Sequence, residues 1–225
     1  MFSEFLKLWQ KKSLTAEALA MSTQMLQMTS QMFDEAIWSL RESPTGEMRI
    51  DIYQHDKIIN KLERDIRKKV LVHLTISEKS EIIAGLTLVS VIIDIERIGD
   101  YTKNITDLAI LHKDILRGGP FESQLISIEQ RVKNFFAWTL QAFPVSDAEI
   151  ARQVVQNYKS VSHDSAEITN ALVKGEAELS LTDGVTLALY SRFLKRVAAH
   201  LFNICTSIVN PFHRIGFREK TKDLS

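Results

Sequence analysis

The sequence predicts an all-α protein built as two tandem three-helix bundles. Three observations predict it. Apolar residues recur with a period near 3.6 over long stretches, and no convincing run of alternating β-branched residues interrupts them. The chain holds only eight glycines and four prolines, and they gather at a few breaks. The strongest break, Gly118-Gly119-Pro120, lies near the midpoint and leaves three helical stretches on each side.

Taken in order, the chain opens with a short amphipathic segment, residues 3–11. Phe2, Phe5, Leu6 and Trp9 make one apolar face ahead of Lys11-Lys12. Such a face docks on the bundle or touches a membrane or partner, and docking is the expectation. Six helices follow, at roughly 14–43, 47–74, 77–117, 121–143, 147–176 and 182–210, with bounds good to about two to four residues. Pro44-Thr45-Gly46 closes the first, Pro144 the fourth and Pro211 the sixth. Ser13 ahead of Glu17, Ser77 ahead of Glu78 and Glu81, and Ser146-Asp147 ahead of Glu149 supply hydroxyl caps and first-turn acids. The midpoint break divides the chain into a first repeat, residues 1–118, and a second repeat with a basic, mobile tail, residues 119–225. Arg97-Ile98 and Asn104-Ile105 recur 99 positions later as Arg196-Val197 and Asn203-Ile204, in the third helix of each half.

Composition excludes several classes. Hydrophobic residues make up 45% and charged residues 25%, as in a soluble globular protein. With 28 basic and 28 acidic residues, there is no basic excess of the kind a nucleic-acid binder carries. Cys205 stands alone, flanked by helix-interior residues, and reads as a small buried hydrophobe. No apolar run approaches the ~18–20 residues that span a bilayer, and the first residues lack the order of a signal peptide. A cytoplasmic protein is expected. No Gly-rich phosphate loop, GxSxG, HExxH or Cys/His pair is present, so the chain is expected not to be an enzyme.

The candidate chemistry lies on two helices. Glu96, Asp100, Asn104 and Asp107 fall within about 80° of one another on the third helix. Asp56, Asn60, Glu63 and Arg67 make a similar stripe on the second. Like charges a turn apart repel, so something must compensate them. Facing each other, the stripes would offer carboxylate and amide oxygens to a hard cation such as Mg²⁺, Mn²⁺, Ca²⁺ or iron. Alternatively they are solvated faces paired with Arg64, Arg67, Arg97 or Lys103. The apolar residues around them, Leu86 through Ile98, predict that the third helix is central. Met21, Met25, Met28 and Met32 form a stripe suited to core packing or to an adaptable partner surface. His163 and Glu167 are one turn apart and read as surface.

These residues carry a family resemblance. Asp94-Ile95-Glu96-Arg97-Ile98-Gly99-Asp100-Tyr101-Thr102-Lys103-Asn104-Ile105 resembles the signature helix of PhoU-domain proteins. Asp56 through Glu63 is similar to the family's companion motif, and Phe193 through Ile204 to its second copy. The resemblance implies paired three-helix bundles and metal on acidic motifs, with Glu96 and Asp100 as ligands and Asp56, Asn60 and Glu63 as contributors. It also implies a regulator of phosphate uptake and phosphate-starvation signalling, partnered with a phosphate ABC transporter and its sensor kinase.

The second copy departs from the pattern. It has Lys195 and Ala199 where Glu96 and Asp100 would recur, followed by His200. At most one competent metal cluster is therefore expected, in the first repeat. A regulatory partner of another transporter, such as a sodium/phosphate cotransporter, is the alternative. A metal-dependent helical-bundle enzyme is a more distant one, since the Glu-x-x-His pair it needs is missing. Peripheral membrane contact and a homodimer stay open.

Overall fold

The computed structural model describes residues 13–112 and 114–219. Among these residues there are six long helices and no strand: α1 (Ser13–Arg41), α2 (Ile52–Ile76), α3 (Ile82–His112), α4 (Glu122–Ala142), α5 (Ala148–Val173) and α6 (Leu181–Val209). The two bundles, α1–α3 and α4–α6, meet chiefly where α3 packs along α6. The expected amphipathic segment at residues 3–11 lies outside the described residues.

Local chemistry explains where the helices start and stop. Asp51 caps α2 by accepting from the Gln54 N–H at 2.9 Å, so this helix begins five residues later than expected. The loop before it is held elsewhere: Glu35 accepts from Arg49 Nε at 2.9 Å, and the Arg49 guanidinium lies 4.0 Å from the Trp38 ring centroid. Ser77 does not start α3 as expected. Its hydroxyl donates to the His73 carbonyl at 2.6 Å and finishes α2, and α3 begins only after a 3-10 turn at Lys79–Glu81. The other end of α3 also falls short of the expected residue 117. His112 there places Nδ1 3.0 Å from the Asp114 carbonyl and Nε2 2.8 Å from Asp183 on α6. Asp147 and Ser180 cap α5 and α6 through their side-chain oxygens.

Burial follows the apolar stripes. Met25 and Met32 are fully buried, and Met21 and Met28 pack against the core. The methionine stripe is thus core, not a partner surface. Cys205 is buried too, and burial pushes its thiol up to about 12. The α3 helix is central as expected, touching α1, α2 and α6. Leu86 and Ile93 nevertheless stay open to solvent, contrary to an all-round apolar contact.

The tail is ordered further than the sequence suggested. A 3-10 turn at Phe212–Arg214 leads to Gly216, whose N–H donates to Thr206 Oγ1 at 2.8 Å. Arg152 then grips Glu219 with two bonds, at 2.8 and 3.0 Å. No helix among the described residues is long and apolar enough to cross a membrane.

Candidate functional site

Antiparallel packing of α2 on α3 brings the two polar stripes face to face. They line an open cleft of about 560 Å³ bounded by Tyr53, Asp56 and Lys57 from α2 and by Arg97, Asp100, Lys103, Asn104 and Asp107 from α3. Lys103 sits at its focus, with Nζ 3.0 Å from Asp56 and 3.1 Å from Asp100. Burial alone would lower this ammonium, but the hydrogen bonds to Asp56 and Asp100 outweigh it and hold the group above its ordinary value. Asn60 donates to Asp56 at 3.1 Å, and Glu63 pairs with Arg67 at 2.7 Å. Tyr53 donates to Asp107 at 2.5 Å, a bond that raises its phenol to about 12.

Among the four acids expected as ligands, Glu96 is the least compensated. Arg97 approaches it only to 3.7 Å. Burial, and then the charges of Asp100 and Glu63, raise its carboxyl above the usual range. Of the five expected residues, Asp56 and Asp100 are joined through Lys103 and Asn60 bonds Asp56, while Glu63 and Glu96 reach the group only through their charge. Lys103, Arg97 and Arg67 are the compensating cations, and all three belong to the paired-face reading.

The oxygen donors are of the type a hard cation takes, but Asp56 and Asp100 are already paired with Lys103, and Asn60, Glu63 and Glu96 do not line the cleft. Two carboxylates from different helices already converge on one positive point, an amide lies beside them, and Glu96 is pressed by its acidic neighbours. An ion there would replace the ammonium, whose flexible stem can swing to solvent. Among the described residues, His163, Asp164 and Glu167 form the one group of three such side chains whose ligand atoms already lie within 4.8 Å. That group is on the surface, with Asp164 paired to Arg131 and Glu167 taking a bond from Gln124.

The second repeat has a different chemistry at the same place. Phe202 stands 99 positions after Lys103, and it stacks on Tyr158 of α5 at 4.5 Å. Lysine bridging carboxylates across two helices has become a pair of stacked rings. Together with Lys195 and Ala199, this leaves no acidic donor set there.

The contacts along α3 and α6 obey the same 99-residue register. Asp94 meets His200 at 2.7 Å, and the equivalent residues, Phe193 and Tyr101, meet at 6.0 Å between ring centroids. Tyr101 and His200, themselves equivalent, stack at 5.7 Å. Reciprocal pairs of this kind are what a local two-fold axis produces. Asp94 also accepts from Asn203 at 2.9 Å.

Sequence reading missed a buried polar cluster between the two bundles. Arg41 at the end of α1 pairs with Glu122 and, at 3.0 Å, with Glu129 on α4. Tyr190 of α6 donates to Glu129 at 2.7 Å. Burial raises the Glu129 carboxyl and, more strongly, the Tyr190 phenol. The spacing of these residues carries no signal, because they come together from three helices, α1, α4 and α6.

Comparison with known proteins follows the geometry. The model of the PhoU domain matches the chain twice, at residues 22–109 and 125–208. A crystal structure of PhoU from Pseudomonas aeruginosa aligns with a TM-score of 0.79 at 20% identity, covering 88% of this chain and 96% of that one. The phosphate transport system regulatory protein PhoU from Streptococcus pneumoniae aligns at 0.74 and 22% identity, covering 86% and 92%. At these identities the structures show a shared fold. No curated protein matches the sequence.

Proposed function

The chain belongs to the PhoU-domain family, and from that membership we propose that it is a non-enzymatic adaptor regulating phosphate uptake and phosphate-starvation signalling. Its partners in this reading are components of a phosphate ABC transporter and its sensor kinase. The observation that carries the reading is the twofold match to the PhoU domain, on a fold shared with a phosphate transport system regulatory protein, with a cleft in the first repeat where Asp56, Asp100 and Asp107 meet Lys57, Arg97 and Lys103.

In this reading Glu96 and Asp100 hold a Mg, Mn or iron cation, with Asp56, Asn60 and Glu63 contributing from α2. The cation neutralises acids on two helices and fixes α2 against α3. That stiffening tunes the surface a partner meets. The aromatic replacement in the second repeat confines this role to one half of the molecule. A partner that is another transporter would use the same face.

Affinity capture of the tagged chain from phosphate-replete and phosphate-starved cells tests the proposal. Recovery of transporter or kinase components in either state is expected. Recovery of neither in both states would contradict it.

A further inference from the structure

The hairpin tip joining α2 to α3 is unusually apolar for a surface. Leu71, Val72 and Ile76 on α2 and Ile82, Ile83 and Leu86 on α3 are all exposed, Ile76 at 76%. The two helices are closely apposed there, since a side chain at Gly85 would collide with Leu74. A contiguous apolar patch of this kind marks a surface that something covers.

The first helix ends beside this patch. Lys69 of α2 binds Glu17 of α1 at 2.7 Å. From Glu17 back to Ser13 the helix rises about 6 Å, and from Lys69 to Ile76 about 10 Å in the same direction. The tip therefore overhangs the start of α1, to which residues 1–12 are joined in the sequence. Extended, twelve residues reach roughly 40 Å. Phe2, Phe5, Leu6 and Trp9 recur at i, i+3, i+4 and i+7, a face about 10 Å long if helical. The tip between α5 and α6 lies at the other end of the molecule, because the start of α6 is bound to the end of α3 through Asp183 and His112.

We propose that the apolar face of Phe2, Phe5, Leu6 and Trp9 docks on the α2–α3 tip of the same chain, over Val72, Ile76, Ile83 and Leu86. The segment supplies the missing apolar cover from the nearest possible source. Displacing the segment would uncover the patch.

Fluorine NMR of the full chain labelled with 5-fluorotryptophan tests this. Trp9, Trp38 and Trp138 give three resonances, and Trp9→Phe assigns the first. The Trp9 signal should lie away from its unfolded position and resist a soluble paramagnetic quencher. Ile76→Glu/Ile83→Glu, at exposed positions, should restore the unfolded shift and raise quenching severalfold without lowering the melting temperature. A Trp9 signal at the unfolded shift in the isolated protein would overturn the proposal. So would protection that arises only with phosphatidylglycerol vesicles, which assigns the face to a membrane. Protection that vanishes on dilution would overturn it too, by assigning the face to a second copy.

Discussion

Lys103 and Phe202 hold equivalent positions, 99 residues apart, yet Lys103 bridges Asp56 and Asp100 while Phe202 stacks on Tyr158. One bundle is thus pinned by charge and the other by aromatic contact at the same level. The difference separates a face that holds a cation between two acids from one that holds none.

Removing the resident ammonium should therefore favour a metal. Lys103→Gln leaves Asp56 and Asp100 without their shared cation and removes a competitor from the focus of the cleft. Mn²⁺ affinity measured by calorimetry should rise about tenfold, equivalent to roughly 1.4 kcal/mol. An unchanged or weaker affinity would place any ion elsewhere.

The aromatic counterpart should matter only for stability. Phe202 is buried, and Phe202→Ala should cost about 3–5 kcal/mol in urea unfolding by opening a cavity. Metal stoichiometry should not change. A loss of bound metal would mean that the second repeat takes part.

Glu96 fixes the sign of a pH effect. Its folded carboxyl is raised, first by burial and then by Asp100 and Glu63, so the folded state holds this proton more tightly than the unfolded one. Its favourable contribution is full below the unfolded carboxylate value and is lost as pH rises through the folded value. Glu96→Gln should flatten that loss and stabilise the metal-free protein near neutral pH. Melting curves across the acid-to-neutral range check it, and a steeper loss in the variant would contradict the assignment.

The buried Arg41–Glu129 ion pair should behave as a unit. Arg41→Met strands Glu129 in the interior, at a cost of about 3–5 kcal/mol. Adding Glu129→Gln should recover a substantial part, because the stranded charge is gone. A double-mutant cycle by denaturant unfolding measures the coupling, and additive losses would show that the two groups act separately.

Much of this was legible from the chain. The six helices follow from apolar periodicity, and the repeat from the recurrence of Arg97 and of Asn104-Ile105 as Arg196 and Asn203-Ile204. The facing stripes follow from the turn spacing of Glu96 and Asp100 and of Asp56 and Asn60. The ends of α2 and α3 were less legible, because Asp51 and Ser77 compete with other plausible caps and only packing decides between them. Asp94 with His200, and Arg41 with Glu129 and Tyr190, were invisible. Their partners lie on other helices, and local periodicity carries no information about contacts made across a bundle. Lys103 was read as one of several compensating cations. That it stands between two carboxylates depends on the relative rotation of α2 and α3.

The most direct test is elemental analysis of the purified protein after Mn²⁺ or iron loading, wild type beside Glu96→Ala/Asp100→Ala. The account predicts saturable metal in the wild type and its loss in the double variant, with both proteins folded. Metal retained in stoichiometric amount by the double variant would contradict it.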